Sequence, residues 1–465
     1  MAFDPLLADI RFGCGRSPVI APPSGVEEML TRLTGPDAAA AQFPVPGYDM
    51  LSAKQAEFAR QRREIKPVKD KARRDKMQAA YREMYMREIK ELRREHRLWL
   101  WNQMMRRAHT EDGLRERLVA FWADHFAASG KNAVFNLSVA PSHEDTIRPH
   151  LTGRFADLVK AVMTQPLMLH FLDQTTSRGP NSQMAQKKKG GGLNENLARE
   201  LMELHTLGVD GPYTQADVRE LAELLAGLSI GADFSFLFRP ALAEPGAETV
   251  LGRSYGGPGE ARLEDVLQVL DDLATHPVTA RHIARKLAVH FVADTPDPAL
   301  VDHVAARFEE TGGQLDAVYG ALLEHPAAWD PAPGNVKRPL DFIGSALRLF
   351  AVPPDSRAGR QPGIQGDLLR APLMLMGQPW DEPPGPEGWP EEDEAWVSPQ
   401  RLAARVRWAW TAPSVLMEDL PDPRALLTLA VGDRVDEALD FAVKAAADRT
   451  EGVALVLCSP AFQRM

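Results

Sequence analysis

From Asn194 to Leu225 the chain reads NENLARELMELHTLGVDGPYTQADVRELAELL, and its carboxylates, arginine and histidine recur at helical spacing. Asn196, Arg199, Glu200 and Glu203 stand three, four and seven positions apart, which brings them onto one face of a helix. Two carboxylates projecting together form an acid/base pair, because their repulsion raises one pKa and leaves that group a proton to give. The competing arrangement is an ion-paired surface in which Arg199, one turn away, neutralises Glu203. His205 lies with Ala198 and Leu201 on the side that packs, and the two-residue step from Glu203 carries it about 200° around the helix. His125, in FWADHF, follows Trp122 and Phe121 on an apolar stripe, where a hydrogen-bonded core imidazole is expected unless the stripe meets the Glu200 helix. Its neighbour Asp124 turns elsewhere and reads as a surface acid. The catalytic candidates are Glu200, Glu203, His205 and His125, with Arg199 and Asn196 binding substrate beside the carboxylates.

Two other segments add candidates. In TARHIARKLAVHF, residues His282, Lys286 and His290 are four apart, so one helix face carries groups that bind an anion or an acidic helix, and Lys286 joins the substrate-binding set. In GQPWDEPPGPEGWPEEDEAWVSP the indoles of Trp380, Trp389 and Trp396 act as hydrophobic pegs for a proline-rich loop or as stacking surfaces for sugar rings; Trp389 is the substrate-binding choice. The run KKKGGG from Lys187 to Gly192 has the composition of an anion-closing loop but not the order of a phosphate-binding P-loop, and a surface loop is the simpler reading. Lys337 and Arg338 before Pro339 pair either with an anionic ligand or with carbonyl ends. No helix carries a chelating pair, so no metal ligand set and no cofactor is expected. A divalent metal is kept as an option only through Glu200 and Glu203 meeting histidines of other helices.

The elements that position these groups are mostly helices. Asn194 caps the first, Gly208 and Gly211 supply the turn that ends it, and Thr214 and Asp217 make a capping box for the next. Leu114, Leu118, Trp122 and Phe126 recur every fourth residue. DFSFLFRP and ETVLGRSY alternate over short spans and predict a small β-hairpin near 233–255. The fold class is mainly α: one large multi-helical domain with that hairpin and an extended N-terminal arm. Its parts are an arm over 1–53, a basic helical segment over 54–112, a helical body over 113–350, a Pro-, Gly- and Trp-rich connector over 351–397, and C-terminal helices over 398–465.

With 44% hydrophobic and 25% charged residues, the 465-residue chain buries a large core. Its net charge of −10 is unevenly spread. Between Lys54 and Arg97 stand 16 Lys or Arg against 8 Asp or Glu, about +8, which leaves about −18 elsewhere. That segment is rich in helix formers, interrupted at Pro67, and reads as a solvated helical face or as a surface for a polyanion. Tyr81 and Tyr85 are too few for a base-stacking platform, which disfavours nucleic acid. Two cysteines, Cys14 and Cys458, permit one disulfide and no framework. No run approaches about 18 apolar residues, so no membrane-spanning helix is expected. The first residues lack a basic stretch followed by an apolar core, so a cytoplasmic location is the expectation, with export through a partner as the exception.

The phrases NENLARELMELHTLGVDG and YTQADV, with IRFGCGRSPVIAPP, FWADHF, HPVTARHIARKLAVHFVAD, MGQPWDEPPGPEGWP and LCSPAFQRM, resemble the bacterial domain-of-unknown-function family 1800 along nearly the whole chain. The resemblance implies a single family-like domain and a possible sulfatase-like neighbouring protein as partner; it implies no reaction. On the aligned carboxylates, the expected function is a carboxylate-dependent hydrolase acting on a polar or glycan-like substrate. The alternative is a non-catalytic binding or assembly protein that meets its sulfatase-like partner through the basic segment.

Overall fold

The structure is a computed structural model that describes residues 3–187, 192–332 and 334–465. Of the KKKGGG run, residues 188–191 lie outside the described residues, and the anion-loop reading falls there. Helices hold 64% of the residues and strands 4%, which is the mainly helical class expected from the sequence.

Two apolar cores organise the chain. The first gathers Phe12 and Met29 from the N-terminal segment with Trp122, Phe126, Phe155, Leu201, Leu225, Ile283, Phe291 and Tyr319. The second gathers Trp99, Trp101 and Met104 with Phe342, Leu347, Trp408, Leu427, Val456 and Phe462. The helix Lys71–His109 belongs to the second core through its C-terminal half, since every buried residue in it lies at Ile89 or beyond. Its N-terminal half runs beside the Tyr48–Ile65 helix, joined by the Lys54–Glu88 ion pair at 2.6 Å and the Phe58–Tyr85 ring contact at 4.9 Å. The break falls around Pro67, as a residue without an N–H requires.

The strands correct one expectation. Phe236–Phe238 pairs with Leu228–Ile230, and Gly246–Val250 pairs with Arg253–Gly257, so there are two antiparallel hairpins where the alternation suggested one. The second turns at Leu251 and Gly252, both at positive φ (50° and 78°), the backbone of a tight primed turn. Within NENLARELMELH the coil winds as an α-helix over Asn196–Glu200 and then as a wider π turn over Leu201–His205. The Thr206 hydroxyl closes that turn by donating to Leu201 O at 2.7 Å. The capping box at Thr214 and Asp217 is present in full.

Candidate functional site

Where the two cores meet, a cavity of about 120 Å³ is lined by Asp124, His143, His290, Arg338, Asp381 and Trp389, with Arg107, Glu116, Arg148 and Asp341 in its wall. That is room for several waters or one small polar group. Four stretches build it. The Gly113–His125 helix puts Asp124 on the cavity and, one residue and about 100° further on, His125 into the first core. The Pro277–Phe291 helix brings His290, the turn before the Pro339–Leu349 helix brings Arg338, and residues 378–391 form a strap that lines it from Gln378 to Trp389.

The charges in the wall are paired and mostly buried. Arg338 donates to Asp124 and forms an ion pair with Glu391, each at 2.5 Å. Asp124 also accepts the Trp389 backbone N–H at 2.7 Å, so one carboxylate ties together helix, turn and strap. Asp341 lies between Arg107 at 2.7 Å and Arg117 at 2.5 Å. Glu116 receives both terminal nitrogens of Arg148 at 2.9 Å. Burial raises the Asp124 carboxyl despite Arg338, and the Glu391 charge adds to the rise. Burial would raise Glu391 too, but Arg338 and then His290 hold it well below the ordinary carboxylate range. Burial lowers the His290 imidazole, with Glu391 opposing.

These directions favour a neutral His290 ring beside an ionised Glu391. An ionised carboxylate only accepts, so His290 Nδ1 carries the hydrogen that it shares with the two Glu391 oxygens at 3.3 and 3.2 Å. A neutral ring with its proton on Nδ1 leaves a lone pair on Nε2, and that atom is buried with no hydrogen-bond partner among the described residues. A carboxylate that orients an imidazole and leaves the far nitrogen bare is the arrangement of a general base.

Of the eight catalytic and substrate-binding candidates, Trp389 lines this cavity and the other seven do not, whereas Asp124, His290, Arg338 and Trp380, noted in the sequence for other reasons, do line it. Trp380 and Trp396 are buried pegs, whereas Trp389 is half-buried. His125 and His205 face each other from the Gly113–His125 helix and the π turn. His205 Nδ1 meets His125 O at 2.9 Å, and His125 Nε2 meets His205 O at 3.2 Å. The stripe bearing His125 thus does meet the Glu200 helix, but through backbone carbonyls and not through carboxylates. Burial, then Lys286, drives His125 well below its usual value and His205 down to about 3, so both rings are neutral. Lys286, itself lowered by burial, is favoured in its charged form by Glu391 and Asp124. His282 Nε2 donates to Leu204 O at 3.1 Å.

Asn196, Arg199, Glu200 and Glu203 lie on the outer side. Arg199 pairs with Glu195 at 3.1 Å and Glu203 at 3.2 Å and donates to Gln215 at 2.9 Å, the ion-paired arrangement weighed in the sequence. Burial, then Glu203 and the strap residue Glu387, raises the half-buried Glu200 carboxyl. Asp124 is the plain correction: it is a buried member of the cavity wall, not a surface acid, because Arg338 arrives from far along the chain to neutralise it. Lys337 stacks on the Phe462 ring at 4.0 Å and Arg338 joins the Asp124 network, so neither caps a carbonyl end by side chain as the simpler reading had it. Sequence reasoning missed Glu391, Asp341, Glu116 and Arg148. The signal available was the number of acids and arginines inside otherwise apolar phrases such as FWADHF and KRPLDF.

Among the described residues no helix is long and apolar enough to cross a membrane. Neither the curated proteins nor the solved structures contain a match to this chain. The family model described as protein of unknown function DUF1800 matches residues 13–464, a span that takes in every segment lining the cavity. The chain belongs to the DUF1800 family.

Proposed function

We propose that the protein is a carboxylate-dependent hydrolase for a small polar substrate, with its reacting centre in the cavity between the two cores. The observation that carries this reading is that His290, in the cavity lining, has Glu391 at its Nδ1 and no partner at its buried Nε2 among the described residues. In this reading His290 takes the proton from an attacking water, and Glu391 is a positioning residue that stabilises the imidazolium as it forms. Arg338 and Arg107, both buried in the cavity wall, supply fixed donors for the negative charge that develops on the substrate oxygen. Trp389 offers its ring to the apolar part of the substrate. Glu200 and Glu203, outside the lining, serve the approach to the site at most.

A panel of ester, amide, phosphoester and glycoside substrates tests it. One class should turn over, with a loss of about 10²–10⁴-fold in His290→Gln and of about 10²-fold or more in Glu391→Gln, while circular dichroism stays that of the parent. Turnover unchanged in His290→Gln, or absent in every class, overturns the reading.

A second reading rests on a separate observation. No residue of the Lys71–His109 helix before Ile89 is buried, so Lys71, Arg73 and Lys76 stand in solvent without an ion-pair partner among the described residues. That face suits an acidic partner, such as a sulfatase-like neighbouring protein. Reversing Arg73, Arg74, Arg93 and Arg94 should abolish co-purification with that neighbour and leave turnover intact; association unchanged by the reversals removes the basic segment from the account.

A further inference from the structure

A second group of carboxylates lies away from the cavity. Glu220 and Glu223 are one turn apart on the Gln215–Leu225 helix, and the Gly246–Val250 strand, packed on that helix, adds Glu248. One ligand oxygen from each lies within 4.8 Å of the other two. Convergence of acids alone decides nothing, since exposed acidic groups sit together on many surfaces. Glu248 makes the difference. It is 7% exposed, and among the described residues no donor from outside the trio reaches its carboxylate; it is pressed instead against the carboxylate of Glu220. A buried carboxylate whose neighbour is another carboxylate lacks the positive partner that burial demands.

The surroundings do not supply that partner. Arg219 reaches Glu223 at 3.1 Å from a side chain that is 62% exposed, and Arg262 is taken by Asp265 at 2.6 Å. Glu220 accepts the Thr249 backbone N–H at 2.9 Å, which holds its carboxylate toward the strand and toward Glu248. Beside the trio is a cavity of about 310 Å³ lined by Glu244, Gly246, Glu248, Gly256, Glu260 and Asp265, an acidic path from solvent. It is also a source of water ligands.

We propose that Glu220, Glu223 and Glu248 bind one divalent, oxygen-preferring cation of the calcium class. A set of oxygens without nitrogen or sulfur selects hard ions over zinc or copper. Three carboxylates spread over nearly 5 Å fit calcium's long and adaptable bonds better than magnesium's tight octahedron. The ion staples the Gly246–Gly257 hairpin to the helix beneath it, and it balances the like-charge contact that, after burial, pushes the Glu248 carboxyl up to about 8.

The test is calorimetric titration of the metal-stripped full chain with calcium chloride at pH 7.5, beside thermal unfolding. One ion per chain is expected, with a Kd of roughly 10⁻⁴–10⁻³ M, the range of weak oxygen sites, and a Tm that rises with added calcium. Glu248→Gln and, on the more exposed helix, Glu220→Gln should each weaken binding by about tenfold or more. If Glu248→Gln does not fold, Glu220→Gln and the calcium dependence of the parent Tm still decide. No heat and no Tm rise up to about 10 mM calcium, well above that Kd range, overturns the site and leaves a shared proton as the partner of Glu248. Binding that persists at parental strength in both variants overturns it as well, by placing the ion elsewhere.

Discussion

Asp124 and Arg338 keep 9% and 8% of their side-chain surface in water, so neither charge has solvent to fall back on. Removing one leaves the other buried and uncompensated, and Arg338→Met should cost about 3–5 kcal/mol of stability in urea unfolding. A cost below about 1 kcal/mol would show that water already reaches the pair. The buried imidazoles make a different prediction, about pH. Burial and Lys286 lower His205 to about 3 and His282 to about 4, from 6.5 when unfolded. Below the unfolded value the unfolded chain binds protons that the folded chain refuses. The stability these rings contribute is therefore complete above pH 6.5 and lost as pH falls toward the folded values, by up to about 1.4 kcal/mol per pH unit for each ring. His205→Asn should flatten the slope of unfolding free energy between pH 6.5 and 4; an unchanged slope contradicts the assignment. At this scale the sequence revealed which histidines face apolar neighbours, since helical spacing is local. It did not reveal what neutralises an acid, since Arg338 stands 214 residues from Asp124 and Glu391 stands 101 residues from His290.

The strap over residues 378–391 depends on backbone shape more than on packing. Gly388 sits at φ 79°, and a Cβ there would lie 2.5 Å from both the carbonyl and a carboxylate oxygen of Asp124. Gly388→Ala should displace the Trp389 N–H from Asp124 and destabilise the protein by about 1–3 kcal/mol, with turnover falling alongside. Gly257→Ala, where a Cβ meets nothing within 4 Å, should stay within about 0.5 kcal/mol. Equal effects of the two would mean that the strap is not held by this contact. The start of the Gln215–Leu225 helix was legible because its cap is written within four residues, from Thr214 to Asp217, whereas the Asn196–Glu200 helix has Glu195 and not Asn194 as its N-cap. Strand partners were not. Each hairpin closes on its nearest neighbour, and the second does so through Leu251–Gly252, a turn without the Asn-Gly or Asp-Gly cue. The π turn at Leu201–His205 was equally invisible, since its sequence is that of an ordinary helix.

Over the whole molecule, the cavity exists because two cores meet along a seam that neither fills with apolar side chains, and the seam is closed by arginine–carboxylate pairs. Such pairs contribute little net stability against a well-packed apolar seam of the same volume, so their presence between the cores is better accounted for by what they bind and orient than by cohesion. The mainly helical class was legible from composition and period. The seam was not, because it is built by contacts between the helix ending at His125, the turn at Arg338 and a strap near the far end of the chain. The central claim is that this seam holds a neutral imidazole with a free acceptor nitrogen. Nitrogen-15 NMR of the histidine side chains at pH 7 tests it most directly. His290 should appear as the neutral ring with hydrogen on Nδ1 and a bare Nε2, and Glu391→Gln should disturb that resonance pattern. An imidazolium at pH 7, or a proton resident on Nε2, would contradict the account.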